Sequence, residues 1–134
     1  MARRESREQA FILMFEKSFQ KDLDMKEMID INIANELIEY DGFAQELAVK
    51  ASDNIEEIDS VIEKYSVARK MNRISKVSLS VLRIAICEML FFKDIPYGVS
   101  INEAVEICKK YASEDEYAYV NGLLGAFARN NEVD

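Results

Sequence analysis

Val77-Ser78-Leu79-Ser80-Val81-Leu82-Arg83-Ile84-Ala85-Ile86-Cys87-Glu88-Met89-Leu90-Phe91-Phe92 is the stretch that decides how this chain folds. Twelve of these sixteen side chains are apolar, so a helix over residues 78–92 has almost no polar face and must be wrapped by other helices. It is the expected core. After it, Asp94-Ile95-Pro96-Tyr97 forms a corner, because Pro96 lacks an amide hydrogen and biases Ile95 away from helical angles. Ser100-Ile101-Asn102-Glu103 reads as a capping box and predicts a helix over residues 101–112. Ser113-Glu114-Asp115-Glu116 repeats the device and predicts another over 114–128, with three acids at the positive end of the helix dipole.

Upstream, the pattern stays helical. Ser6-Arg7-Glu8-Gln9 is a third capping-box match, which predicts a first helix from near Ser6 towards Phe19 and leaves Arg3 and Arg4 as a mobile arm or frayed first turn. Asp24 opens a second helix, whose stripe is Met28, Ile29, Ile31, Ile33, Leu37 and Ile38, interrupted at Asp41-Gly42. A third is expected over residues 43–52. A fourth follows Asp53-Asn54, with Ile55, Ile58, Val61, Ile62 and Tyr65 on one face and Glu56, Glu57, Asp59 and Glu63 on the other. Residues 66–76 read as a connection with at most one helical turn, and 130–134 as a frayed tail.

The totals agree with one all-α domain over residues 1–134. One Pro and four Gly are too few for the turns of a sandwich or barrel. Cys87 and Cys108 lie in apolar stretches, where a thiol behaves as a small hydrophobe. The absence of histidine excludes Ser-His-Asp and Cys-His nucleophile activation and removes the commonest metal ligand. With no Gly-rich phosphate loop or Cys-x-x-Cys, the chain reads as a non-enzyme with no catalytic residue, metal site or cofactor. No signal peptide and no apolar run of about 18 residues is present, so a cytoplasmic protein with no membrane association is expected.

Charge is distributed unevenly around the net value of -8. Residues 22–63 carry thirteen acidic and two basic side chains, whereas residues 64–83 carry six basic and no acidic ones. Residues 1–21 add five basic against three acidic. Two basic islands therefore sit in an acidic protein. Local positive charge suffices for nucleic acid, since counterion release depends on contacts rather than on net charge.

Leu82-Arg83-Ile84-Ala85-Ile86-Cys87-Glu88-Met89-Leu90, Asp94-Ile95-Pro96, Ile101-Asn102-Glu103-Ala104-Val105-Glu106 and Tyr119-Val120-Asn121-Gly122-Leu123-Leu124, in that order, resemble the NusB family of transcription antitermination factors. The opening Arg3-Arg4-Glu5-Ser6-Arg7-Glu8-Gln9-Ala10 looks like that family's start. The resemblance is densest over residues 77–125. It implies about seven helices in two packed sub-bundles, about 1–66 and 67–134, and no catalysis. It also implies binding of the boxA element of nascent RNA together with the ribosomal protein NusE, in an antitermination complex on RNA polymerase during ribosomal RNA synthesis. Either a monomer or a homodimer fits the family.

The candidate RNA-binding residues are Arg3, Arg4, Arg7, Lys76, Asp115 and Tyr119. On a helix Arg3 and Arg7 share one face, and guanidinium forks suit phosphate oxygens; an ordinary basic N-terminus is the alternative. Asp115, Tyr119 and Gly122 lie at i, i+4 and i+7 beside the apolar stripe Val120, Leu123, Leu124 and Phe127. These positions match the family's RNA-contacting face: a tyrosine can stack on an unpaired base, an acid can accept from base or ribose, and glycine permits close approach. A half-buried core edge at Tyr119 and a helix-packing role for Gly122 are the alternatives. Lys70, Arg73 and Lys76 extend an RNA track or form a solvated linker. Arg83 is expected to pair with Glu88, Glu103 or Glu106, and Asn102 and Asn121 to hydrogen-bond between helices. A helical module that binds a basic protein through residues 22–63, and no RNA, is the competing reading.

Overall fold

The computed structural model describes residues 3–131, and among these it contains helices and no strand. Seven α-helices follow one another: α1 Arg3–Lys17, α2 Met25–Ala34, α3 Gly42–Asp53, α4 Ile55–Tyr65, α5 Lys76–Phe91, α6 Tyr97–Tyr111 and α7 Glu114–Asn131. A single 3-10 turn, Met71–Arg73, interrupts the linker between α4 and α5. As its largely apolar composition requires, α5 lies at the centre, packed by α1, α3, α4, α6 and α7. Its Val81, Leu82, Ile86, Cys87 and Met89 are buried in the core with Leu13 and Met14 of α1, Leu47 of α3, Ile58 and Ile62 of α4, and Leu124 of α7. No helix among the described residues is long and apolar enough to cross a membrane.

Short polar contacts set the helix starts. Asp24 caps α2 through the amide of Lys26, Asp41 caps α3 through the amide of Ala44, and Ser75 caps α5 through the amide of Ser78. α1 and α6 run side by side in the same direction. Arg4 meets Glu103, Glu8 meets Lys110, and the Phe11 and Tyr111 rings lie 5.0 Å apart.

Several local expectations are corrected. None of the three capping boxes closes: α7 does begin after Ser113, but the Glu116 carboxylate goes to Arg69, Ser75 and Ser78 instead of back to the helix start. α1 begins at Arg3, so Arg3 and Arg4 are helical, and Ser6 lies inside the helix, buried, with its hydroxyl donating to Asp41 at 2.6 Å. α6 begins a turn before Ser100: Pro96, in extended backbone, accepts from the amides of Val99 and Ser100, and the Ser100 hydroxyl donates instead to Glu88 at 2.6 Å. In both cases a buried carboxylate from another element outcompetes the local amide, because an unsatisfied buried acceptor costs more than an uncapped helix end open to water.

α2 stops at Ala34, short of Leu37 and Ile38. Glu36 takes a left-handed conformation, φ 59°, and the Leu37 amide turns back to the Asn32 carbonyl. Arg83 pairs with Asp59 of α4, through two nitrogens each 2.9 Å from a carboxylate oxygen, rather than with Glu88, Glu103 or Glu106. Arg83 and Glu88 are five residues apart and point to different sides of α5. Asn130 and Asn131 belong to α7, where Asn131 donates to Phe127 and Tyr65; residues 132–134 lie outside the described residues.

Candidate nucleic-acid interface

Charge at the start of α1 is sorted by helical position. Arg3 and Arg7, one turn apart, both approach the Phe43 ring, with guanidinium carbons 3.8 and 5.5 Å from its centroid. They share a face, as the spacing predicts. Arg7 goes further inward: its Nε donates to Glu88 at 2.8 Å and its Nη1 lies 3.6 Å from Glu103, and the Arg7 and Glu88 side chains are 8% and 1% exposed. Glu88 also accepts from Ser100, so a carboxylate in the interior has two strong donors. Arg4 points outward. It is 68% exposed and is gripped by Glu103 of α6 through Nε and Nη2, at 3.2 and 2.9 Å. This grip leaves part of its donor set open to solvent.

Beside Arg4 opens a hollow of about 530 Å³ between α1, α6 and α7, with Asn102 and Lys109 on one wall and Ala118 and Asn121 on the other. Asn102 and Asn121, expected between helices, are exposed here. Asp115 and Gly122 are exposed on the same helix, α7, and a Cβ added to Gly122 would meet nothing within 4 Å. Gly122 is therefore open to close approach rather than packed against a neighbouring helix.

Tyr119 lies at the other edge of α7 and is half-buried. Its hydroxyl hydrogen-bonds Ser66 and the Arg69 guanidinium sits 4.2 Å from its ring centroid. Glu116, one turn earlier, binds Arg69 through both oxygens, at 3.0 and 2.9 Å, and accepts from Ser75 and Ser78 at 2.9 and 2.8 Å. Arg69 above all, with help from the two hydroxyls and against the cost of burial, holds the Glu116 carboxyl down at about 2. The linker 66–75 is thus strapped to the first turns of α7. It ends at Lys76, exposed at the start of α5, whose ammonium lies 4.8 Å from the Phe19 ring.

The structure brings Arg3, Arg4 and Arg7 together at the start of α1 and sets Asp115 and Tyr119 on α7 beside Arg69, whereas Lys76 stands apart at the start of α5, against Phe19. Sequence reasoning missed Phe43, Glu103 and Glu116, which position these groups from other elements, and it saw Arg69 only as part of a basic run. Among the described residues no group of three His, Cys, Asp or Glu side chains could hold a metal ion. Burial pushes both Cys87 and Cys108 thiols up to about 12, which makes them inert packing groups.

Comparison with known proteins adds lineage to this geometry. The NusB family model matches residues 4–129. The transcription antitermination protein NusB of Ruminiclostridium cellulolyticum is 41% identical, across 100% of this chain and 99% of its own length. That of Natranaerobius thermophilus is 42% identical, across 96% and 95%. Among solved structures, T. maritima NusB superposes with a TM-score of 0.81 at 36% identity, covering 96% of this chain and 92% of its own. A complex of the antitermination factors NusB and NusE with double-stranded RNA contains a chain that superposes at 0.83 with 28% identity, covering 97% and 99%. Sequence and backbone agree over nearly the whole length, with the arginine-bearing α1 and the Val-Asn-Gly segment of α7 both inside the match, and the chain therefore belongs to the NusB family.

Proposed function

We propose that this protein is a cytoplasmic, non-enzymatic transcription antitermination factor that binds boxA-like single-stranded RNA together with NusE, as an adaptor in an antitermination complex on RNA polymerase. The single observation that carries the RNA site is the juxtaposition of exposed Arg4 with the open face of α7, across one hollow. A phosphate near Arg3 and Arg4 would meet guanidinium donors, while Asp115, Asn121 and Gly122 offer acceptors, donors and close backbone approach to an unpaired base. Arg7, committed to Glu88, holds α1 in place behind them rather than reaching phosphate. Lys76 takes the backbone onward at the far edge. The two sub-bundles, about 1–66 and 67–134, act as one unit, with α5 common to their packing.

The test is the affinity of the purified protein for a boxA-like RNA and a scrambled control, alone and with NusE, at two salt concentrations. Preference for the boxA-like RNA, strengthened by NusE and weakened by salt, is expected. Equal, weak binding of both RNAs with or without NusE would sink the reading and leave a protein-binding helical module.

A further inference from the structure

The strap between α4 and α5 holds a second feature that the RNA site above does not use. Arg69 is held from two sides: Glu116 binds both of its terminal nitrogens, its guanidinium carbon lies over the Tyr119 ring at 4.2 Å from the centroid, and the side chain remains 24% exposed. The same residue lines a hollow of about 560 Å³ that Tyr119 does not line. Its other walls include Ser66, Val67, Lys70 and Met71, with Glu63 at the end of α4. Val67 is 96% exposed, an apolar side chain held in water beside an oriented guanidinium. Arginine planes accept stacked nucleobases as aromatic rings do, and a plane already stacked on tyrosine and pinned by a carboxylate loses little freedom when a base arrives.

We propose that Arg69 and Tyr119 form a composite stacking platform, on which an unpaired nucleobase of bound single-stranded RNA stacks against the outer face of the Arg69 guanidinium. Tyr119 then acts through Arg69 at this position rather than by meeting the base itself. Because Glu116 neutralises Arg69, the contribution is stacking and not phosphate attraction. Lys70 and Lys76, on either side of the turn, are left to meet the flanking phosphates. Glu63 at the rim favours a base that carries an amino group, which can donate to a carboxylate. This assignment rests on the RNA-binding function proposed above.

The experiment measures binding of the full chain to boxA-like RNA across a salt series for wild type, Arg69→Ala, Arg69→Lys and Arg4→Ala, with a melting curve for each. Arg69→Ala is expected to weaken binding by about tenfold with the salt slope unchanged. Arg69→Lys, which keeps the charge but not the plane, should not restore it. Arg4→Ala should lower the salt slope. Wild-type affinity in folded Arg69→Ala overturns the platform, as does rescue by lysine. Tighter binding by Arg69→Ala also overturns it, and would make Arg69 a cover over Tyr119. Failure of the wild type itself to bind RNA removes the underlying function, an outcome distinct from all of these.

Discussion

Two arginine–carboxylate clusters flank the α7 face, and they are built in opposite ways. At the start of α1, Arg7 and Glu88 meet in the interior, where α1, α5 and α6 converge, and the exposed Arg4–Glu103 pair sits above them. At the start of α7, Arg69 and Glu116 meet on a strap of irregular chain, part-way to solvent, and their further contacts are to the hydroxyls of Ser75 and Ser78. A charge pair deep in the fold is a mutual obligation, since removing either partner strands the other in a medium that cannot solvate it. A pair open to solvent, such as Arg4–Glu103, can be lost with little effect on the fold, so its arginine is free to meet a ligand. The first cluster keeps the helix in place and offers one arginine to solvent. The second keeps a segment of linker in place.

The largest effect should come from breaking the interior pair. Glu88→Ala is expected to destabilise the protein by about 3 kcal/mol, measured by urea unfolding, because it leaves the buried Arg7 guanidinium with only the more distant carboxylate of Glu103. The double variant Arg7→Leu/Glu88→Leu should recover much of that loss, and no recovery would mean that the pair itself is a net stabiliser. RNA binding should separate the clusters next. Arg4→Ala should leave the melting temperature nearly unchanged while the slope of log affinity against log salt falls by roughly one, as expected for one phosphate contact removed.

Acid sharpens the contrast from the other side. Glu116 titrates at about 2 in the fold against an ordinary 4.5, so the folded state binds this proton less tightly than the unfolded state does. Its contribution to stability is complete above the ordinary value and is lost as pH falls towards 2. Glu116→Gln should flatten the pH dependence of the melting temperature in that window, and an unaltered acid limb would show that the strap does not depend on the ion pair. The smallest effect is expected at Gly122. Gly122→Ala adds a methyl into open space in a helix and should stabilise the fold by up to about 1 kcal/mol, yet weaken binding if RNA approaches the backbone there. Unchanged or tighter RNA binding would place the ligand elsewhere.

Much of this architecture is legible in the chain. Apolar period and helix-start signals name all seven helices, and the dense apolar stretch at residues 77–92 identifies the central one. Local pattern fails where a polar side chain has a choice of partners. Ser6 and Ser100 look like helix caps because the next three residues fit the pattern, but both hydroxyls turn to carboxylates, on Asp41 and Glu88, that only packing brings near. The same holds for Arg83, which crosses to Asp59 of α4, twenty-four residues away.

The sequence by itself determined which segments are helical, which helix is central, and which residues carry positive charge in an otherwise acidic protein. These depend on backbone propensity and on side-chain period, which are local. Only the tertiary structure decided that Arg7 turns inward while Arg4 faces water, that Arg69 lies on Tyr119, and that Glu88 and Glu116 are the carboxylates that hold the two clusters. A buried charge takes whatever partner the packed helices deliver, and that choice is made by contacts between residues 47 to 99 positions apart.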